Sequence, residues 1–363
     1  MKAPFYDKRT WFRIAIKALV IILVADALFI VFRPFDSISS YSVYGLFLPL
    51  HKRITVPARD EQSQLGRLET LLHAHEISQP RASDEFRVVV LGDSGINGWG
   101  VPDDQTVNGY LTALGQNIQG RKVHAYNLAY IGPNVTRDFL IADAALAYQP
   151  DLILWFVTED GFLDKTPDRL LEFNQPRLTQ LTAQFQLSDL NARLYGHYQD
   201  VWWQRSLLAQ RGDIYQWITF QTSALARADF LSVDFGAMQK NPAQQYQLDD
   251  GQPTQLQMPS ASWLPLTALG QLTNVPVLIV NEPIYSVSEP SSMYDALYDR
   301  SLYDKYRGVL ASFCADNRLW CLDLWNSLPQ MDFSDTPLHH TPMGNQTIAS
   351  LVAREIIRKL SPK

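Results

Sequence analysis

A Gly-Asp-Ser tripeptide and a distant Asp-His pair are the residues of this chain best suited to covalent chemistry. Ser94 ends the run Val-Val-Val-Leu-Gly-Asp-Ser, and His339 lies four residues after Asp335. A serine hydroxyl becomes a nucleophile when a histidine removes its proton, and a carboxylate orients that histidine and stabilises its cation. We therefore predict Ser94 as nucleophile, His339 as general base and Asp335 as the orienting carboxylate of an acyl hydrolase or acyltransferase.

Each of these positions has an alternative interpretation. A serine in Gly-Asp-Ser commonly caps the helix that follows a strand. His340 is the competing base, although the five-residue step from His339 to Gly344 favours His339. Asp332 is the alternative carboxylate, and both histidines could be exposed loop residues.

Five apolar runs predict the strands that must position these residues. Most are continuous rather than alternating, which is typical of strands buried on both faces. Helical patterns separate them, so the sequence predicts an α/β fold with a five-stranded parallel sheet and helices on both faces. The predicted strands cover residues 86–91, 123–128, 152–157, 275–280 and 320–324.

The polar candidates follow the carboxyl ends of these strands, where open α/β sheets bind ligands. We expect the backbone amides of Ser94 and Gly132, with Asn134 nearby, to bind the oxyanion of the reaction. A strand-end turn before Pro283 would explain the residues after the fourth strand equally well. The predicted substrate-binding residues are Thr158, Asp160, Asn281 and Glu282.

The motifs resemble those of the SGNH/GDSL hydrolase superfamily over residues 86–163 and 273–361. The resemblance implies a flavodoxin-like three-layer α/β/α sandwich, with serine, glycine and asparagine in successive blocks and a final Asp–His pair. The Asp-to-His spacing here is one residue longer than the commonest form, as in some membrane-attached relatives that modify envelope polymers. The matching residues are Gly92-Asp93-Ser94, Gly132 with Asn134, and Asp335 with His339.

The third block departs from the family pattern. Where the resemblance implies Gly-x-Asn-Asp, this chain has Val157-Thr158-Glu159-Asp160. The missing asparagine would donate to the oxyanion, and loss of one such donor typically costs about 100- to 1,000-fold in rate. Asn134, Thr158 or backbone amides could replace it, whereas an ionised Glu159 or Asp160 would repel the oxyanion.

Two functions therefore stay open at the level of sequence. One is a serine esterase or O-acyltransferase that acts on acyl esters of envelope glycans or lipids, with a membrane acyl-donor protein as partner in the transferase case. The other is a catalytically inactive, SGNH-derived envelope-binding or assembly protein. We expect no cofactor and no metal, since the cluster His73, His75 and Glu76 lacks the HExxH spacing and is interpreted as a solvated helix face.

The N-terminus predicts a membrane anchor. Residues 14–33 are apolar over the roughly 20 residues that a helix needs to cross a bilayer, despite Asp26 within the run. Basic residues before the run predict a cytoplasmic N-terminus and a single pass through the cell membrane, which leaves the catalytic domain extracytoplasmic. A cleaved signal peptide is the alternative. The predicted parts are a tail at 1–13, the anchor at 14–33, a juxtamembrane segment at 34–84 and a domain at 85–361 with a helical insertion at about 164–270.

Composition limits the remaining choices. Of the 363 residues 46% are hydrophobic, and the formal net charge is −6, so a folded core is expected and nucleic acid is excluded as a general partner. Cys314 and Cys321 are either a disulfide of an oxidising compartment or two small core residues. Three tryptophans of the insertion are expected in helical core, with sugar binding or membrane contact as alternatives: Trp202, Trp203 and Trp217.

Overall fold

The computed structural model describes residues 7–39, 41–47, 50–54, 67–162, 168, 170–171, 174–186, 202–226, 263–285 and 300–360. Most of the predicted insertion at 164–270 lies outside the described residues. Elements are numbered through the described part of the chain. The strands are β1 (Glu85–Leu91), β2 (Asn117–Ile118), β3 (Arg121–Asn127), β4 (Leu152–Val157), β5 (Val277–Asn281) and β6 (Trp320–Asp323).

The helices alternate with these strands, and short 3₁₀ turns join several of them. The α-helices are α1 (Lys8–Phe32), α2 (Pro34–Ile38), α3 (Val43–Phe47), α4 (Leu68–Ala74), α5 (Ser94–Asn97), α6 (Val107–Ala113), α7 (Val135–Ala145), α8 (Gln175–Gln184), α9 (Arg211–Ala226), α10 (Leu264–Leu272), α11 (Arg300–Asp316) and α12 (Pro342–Leu360). The 3₁₀ turns are Glu76–Ser78, Asp103–Gln105, Leu146–Tyr148, Glu159–Phe162, Trp202–Arg205 and Gln330–Asp332.

The sheet is six-stranded and mixed, so the predicted five-stranded parallel sheet is wrong by one strand. Its order is β2-β3-β1-β4-β5-β6, and β2 alone is antiparallel to its neighbour among these strands. Ile118 pairs with Arg121 across a two-residue turn in which Gln119 and Gly120 both have positive φ, at 54° and 79°. This is the backbone of a tight hairpin turn, whose twist matches that of the strands it joins. Two residues are too short to show strand periodicity.

Without β2, the parallel strands follow the second-first-third-fourth-fifth order of flavodoxin-like sheets. Alternate residues of β1 enter opposite layers, because side chains of a strand alternate between its two faces. Val89 and Leu91 pack in the layer of α7, α10 and α11, while Val88 and Val90 pack in the layer of α6 and α12. The described elements therefore form a three-layer α/β/α sandwich.

One helix in the described part of the chain is long and apolar enough to cross a membrane. It is α1, whose most apolar window has a mean hydropathy of 2.7 and no buried residue. Most of its large apolar side chains are exposed, unlike those of a core helix. Length and composition agree with the predicted span at 14–33.

Residues 50–54 join the N-terminal helices to the sheet. His51 forms a parallel bridge with His75, and Arg53 forms one with Asn127 at the end of β3. The interpretation of His75 as part of a solvated face is wrong, because His75 is fully buried beneath this segment. Burial lowers the pKa of His75 to about 4, so the ring is neutral at physiological pH.

The cysteine pair and the tryptophans of the insertion can be assigned from the structure. Cys314 at the end of α11 and Cys321 in β6 form a disulfide. Trp202 and Trp203 are 69% and 53% exposed, so the expectation that they lie in helical core is wrong. Trp217 is partly buried against the core, as expected.

Candidate active site

The end of β1 presents Ser94 at the start of α5. The carboxylate of Asp93 accepts a hydrogen bond of 2.8 Å from the amide of Gly95 and so caps this short helix. Ser94 is therefore the first helical residue and not the cap, which leaves its hydroxyl available for other contacts. The local sequence Gly-Asp-Ser thus supplies a turn, a cap and a hydroxyl in order.

His339 joins Ser94 to Asp335 in a line of two hydrogen-bond contacts. Its Nε2 lies 2.9 Å from Ser94 Oγ, and its Nδ1 lies 2.7 Å from Asp335 Oδ1. Burial alone would raise the pKa of Asp335, but the hydrogen bond and charge of His339 lower it below its ordinary value. Asp335 is consequently a carboxylate at neutral pH, and it can fix the imidazole with Nε2 facing the serine.

The loop after Gln330–Asp332 explains the longer Asp-to-His spacing. The amide of His339 donates to Thr336 Oγ1 at 3.0 Å, and the amide of Ser334 donates to the carbonyl of His339 at 2.8 Å. These bonds fold the loop back on itself, which brings Asp335 beside the ring four residues later. With the loop folded in this way, the carboxylate reaches the histidine ring although one more residue separates the two than in Asp-x-x-His.

The structure separates the two adjacent histidines. His340 is buried on the other side of the loop, where its Nε2 lies 3.4 Å from the carbonyl of Pro283. Burial lowers the pKa of His340 to about 3. The contact with Ser94 is made by His339, and the contact with the His339 ring by Asp335 rather than Asp332.

Sequence reasoning assigned no role to Trp99, which contacts the imidazole, or to Arg53, which supports the loop that carries Trp99. Trp99 stacks on His339, with ring centroids 5.9 Å apart and planes at 24°. Arg53 donates to the carbonyls of Gly98 and Val101, at 2.9 and 2.5 Å, and pairs with Asp103 at 2.6 Å. Arg53 thereby ties the loop that carries Trp99 to the juxtamembrane segment. The glycines on either side of Trp99 were the available signal for the loop, whereas no local pattern pointed to Arg53.

The loop after β3 carries the predicted oxyanion residues. Gly132 has a φ of 80°, and open space surrounds the position that a β-carbon would occupy there. Asn134 caps α7, because its Oδ1 accepts from the amide of Arg137 at 3.0 Å. Arg137 in turn donates to the carbonyl of Gly132 and pairs with Asp168 at 2.8 Å. The loop is therefore well supported, and oxyanion binding by the Gly132 amide and the Asn134 side chain stays a prediction.

The predicted substrate-binding residues at the ends of β4 and β5 differ in their contacts. Thr158 is buried and Asp160 is partly exposed, directly after β4. Asn281 is buried, and its amide bonds Tyr303, Tyr306 and Asp323 at 3.2, 3.0 and 2.9 Å. These three contacts account for the Asn281 side chain without a substrate, which favours the structural interpretation that the sequence left open.

Glu282 lies close to α5, the helix that begins at Ser94. It is fully buried, and one carboxyl oxygen is 3.3 Å from where a β-carbon on Gly95 would sit. Neither of its oxygens has a hydrogen-bond partner among the described residues. Burial, together with the charges of Asp93 and Asp138, raises the pKa of Glu282 well above its ordinary value. Burial therefore favours the protonated, neutral form of Glu282.

Replacement of Glu282 by glutamine is expected to stabilise the protein above neutral pH. A carboxyl whose pKa is raised by folding keeps its proton at pH values where the unfolded chain has released it. Stability is then lost as the pH rises from the unfolded pKa towards the folded one, with a slope of up to about 1.4 kcal/mol per pH unit for one proton. Thermal unfolding at pH 6 and pH 9 measures the effect.

The comparison between the two pH values is the control for this experiment. Glutamine keeps the shape of the protonated acid, so Glu282→Gln should have a shallower loss of melting temperature between pH 6 and pH 9 than the unchanged protein. An equal loss in both proteins would show that Glu282 does not carry this proton.

Metal chemistry has no visible site in the described part of the chain, where no group of three or more His, Cys, Asp or Glu side chains is arranged to hold an ion.

No family model and no curated protein matches the chain.

Solved structures similar to this chain cover about three quarters of it. They include a lipase/acylhydrolase from Enterococcus faecalis, with 14% identity, 76% of this chain and 98% of that chain covered, and a TM-score of 0.37. A carbohydrate acetylesterase from Sinorhizobium meliloti has 11% identity, coverage of 75% and 98%, and a TM-score of 0.35. A member of the lipolytic G-D-S-L family from Veillonella parvula has 11% identity, coverage of 75% and 97%, and a TM-score of 0.36.

Proposed function

We propose that the protein is a serine ester hydrolase of the SGNH/GDSL type. The observation that carries this proposal is the line of contacts from Asp335 through His339 to Ser94, with both ring nitrogens of the histidine engaged. A nucleophile, a base and a group that orients the base are the parts that covalent acyl transfer requires.

The proposed reaction has two halves. Ser94 Oγ attacks the acyl carbonyl while His339 Nε2 takes the hydroxyl proton, and the carbonyl becomes a tetrahedral oxyanion. When the oxyanion collapses, the bond to the alcohol breaks and His339 returns its proton to the leaving oxygen. Water then attacks the acyl-serine by the same route, which releases the acid and restores Ser94. Asp335 balances the positive charge of the imidazole in both halves.

The oxyanion would be bound by the amides of Ser94 and Gly132 and by the side chain of Asn134. Asp93 caps α5, and the first amides of a helix carry the positive end of its dipole. Glu159 and Asp160 stand where the family pattern has a donor. The two amides and the Asn134 side chain would therefore have to bind the oxyanion alone, and we expect a lower rate of hydrolysis than with the missing donor.

The proposed location is the outer face of the cell membrane, with α1 as a single-pass anchor and the N-terminus in the cytoplasm. The exposed apolar surface of α1 supports the anchor, and the Cys314–Cys321 disulfide supports an oxidising compartment. The substrates would be acyl esters of envelope glycans or lipids. Transfer to a sugar hydroxyl instead of water would need a membrane acyl-donor protein as partner.

Covalent labelling by a fluorophosphonate probe tests the proposal. The full chain in detergent should be labelled on Ser94, and Ser94→Ala should abolish the label. Ser350 is a matched control, since it lies on α12 and its hydroxyl bonds the helix's own backbone at Gln346. Ser350→Ala should label normally, and no label on a folded protein would contradict the proposal.

The third block favours a second candidate, a non-catalytic envelope-binding or assembly protein. Thr158-Glu159-Asp160 replaces the family's oxyanion donor, and Glu159 is buried. This candidate predicts that Ser94→Ala, expressed at the normal level, leaves the cellular phenotype intact. If Ser94→Ala by itself abolishes the cellular function of the protein, the non-catalytic candidate is excluded.

A further inference from the structure

A second apolar surface lies beside the N-terminal helix. It consists of large apolar side chains between residues 202 and 218 that are at least 41% exposed. Clusters of exposed apolar side chains on a folded domain mark interaction sites. The exposed fractions are 69% for Trp202, 53% for Trp203, 41% for Leu207, 59% for Leu208, 70% for Tyr215 and 46% for Ile218.

This surface, which we name the 202–218 surface, is continuous with that of α1. The turn Trp202–Arg205 packs against α1, and the amide of Leu207 donates to Asp26 Oδ1 at 2.7 Å. Along this part of α1, Asp26, Phe29 and Ile30 are partly shielded, while the other side chains remain exposed. Asp26, the acidic residue within the apolar run, thus accepts a hydrogen bond from a backbone amide of the 202–218 segment.

The position of Asp26 on α1 sets the depth of the contact. If residues 14–33 cross the bilayer, Asp26 lies seven residues from the outer end of the span, or about 10 Å along a helix axis. Peripheral helices that lie in a membrane interface bury their apolar faces by about 5–10 Å. The contact with Asp26 therefore lies in the outer leaflet, on the outer side of the midplane, which is about 15 Å deep in a hydrocarbon core of about 30 Å.

Tryptophan and tyrosine are the side chains that membrane interfaces favour, because their rings are apolar and carry a polar tip. Elsewhere on α9, Gln221 accepts from the amide of Val43 at 2.8 Å, and Trp217 Nε1 donates to the carbonyl of Tyr41 at 3.3 Å. Helix α9 is thus attached to the segment after α1, while Tyr215 and Ile218 remain exposed.

We infer that the 202–218 surface is a second membrane-contacting element that inserts into the outer leaflet beside α1. The inference rests on the proposed anchoring of α1. Its ligand is the lipid bilayer at the level of the headgroups and upper acyl chains. The element would limit the tilt of the globular domain relative to the bilayer.

Photo-crosslinking with lipid tests this inference. The full chain is reconstituted in nanodiscs of phosphatidylcholine that carries a diazirine near the headgroup end of one acyl chain, and labelled peptides are mapped by mass spectrometry. Labels are expected on α1 and on residues 202–218. Two exposed apolar residues of the globular body, Leu114 and Val309, are the internal reference and should be unlabelled.

A triple variant, Trp202→Ser, Trp203→Ser and Leu208→Ser, should lower labelling of its own segment at least about fivefold and leave α1 labelling unchanged, because polar side chains lose the apolar transfer energy. Labelling of α1 without residues 202–218 would overturn this inference alone. Absence of label from both would overturn the proposed anchor as well.

Discussion

Replacement of His339 by alanine is expected to lower kcat for a p-nitrophenyl ester by about 10⁴-fold or more. The ring accepts the proton of Ser94 Oγ, 2.9 Å away, and at neutral pH no other described residue is placed between Ser94 and Asp335 to take that role. The binding of substrate should change far less, because the imidazole acts on the reacting hydroxyl. Steady-state kinetics that separate kcat from KM measure the difference.

His340 offers an adjacent control for this experiment. It is buried against the carbonyl of Pro283 and its pKa is lowered to about 3 by burial, so it cannot act as the base for Ser94. His340→Ala should retain kcat within about tenfold once the folded fraction is corrected by thermal unfolding. Equal losses of kcat in the two variants would contradict the assignment of His339.

Replacement of Gly95 by alanine is expected to reduce kcat by about 100-fold or more. A β-carbon at position 95 would collide with the backbone oxygen of Leu338 and approach Glu282 to 3.3 Å. Leu338 precedes His339, so the collision pushes the base away from Ser94. A displacement of about 1 Å between reacting groups can cost 100-fold in rate. The same collision should destabilise the protein by about 1–3 kcal/mol.

Gly308 is the matched control for the loss of a glycine. It lies on an exposed face of α11, and nothing lies within 4 Å of the position of its β-carbon. Gly308→Ala should keep full activity and raise stability by about 0.5–1 kcal/mol, because alanine favours a helix. Retention of full activity in Gly95→Ala would show that α5 and the loop that carries Leu338 do not approach as closely as described.

The parallel strands could be predicted from sequence because burial on both faces leaves a continuous apolar pattern. The run at 88–91 and the motif after it are close together in sequence, so the position of Ser94 at the sheet edge followed from the strand alone. Strand β2 could not be predicted, since its two residues show no periodicity and depend on the turn at Gln119 and Gly120.

Long-range contacts explain the parts of the site that sequence reasoning missed. Trp99 meets His339 across 240 residues of chain, and Arg53 reaches the same loop from the juxtamembrane segment. Trp202 and Trp203 were expected in the core but are exposed. The presence of a tryptophan in a sequence does not distinguish a buried side chain from one at an interaction surface. Asn281 was ambiguous because a polar residue at a strand end can face either a ligand or its own neighbours.

The docked path from α1 to the sheet has a consequence for the reach of the proposed enzyme. Phe35 packs edge-on against Trp217, Tyr44 packs against His51, and Arg53 ends in the loop beside Ser94's base. A flexible linker would let a catalytic domain take many positions and heights above the bilayer. With α1 anchored as proposed, this packing would hold Ser94 at one height above the membrane, and only esters that reach that height would be substrates.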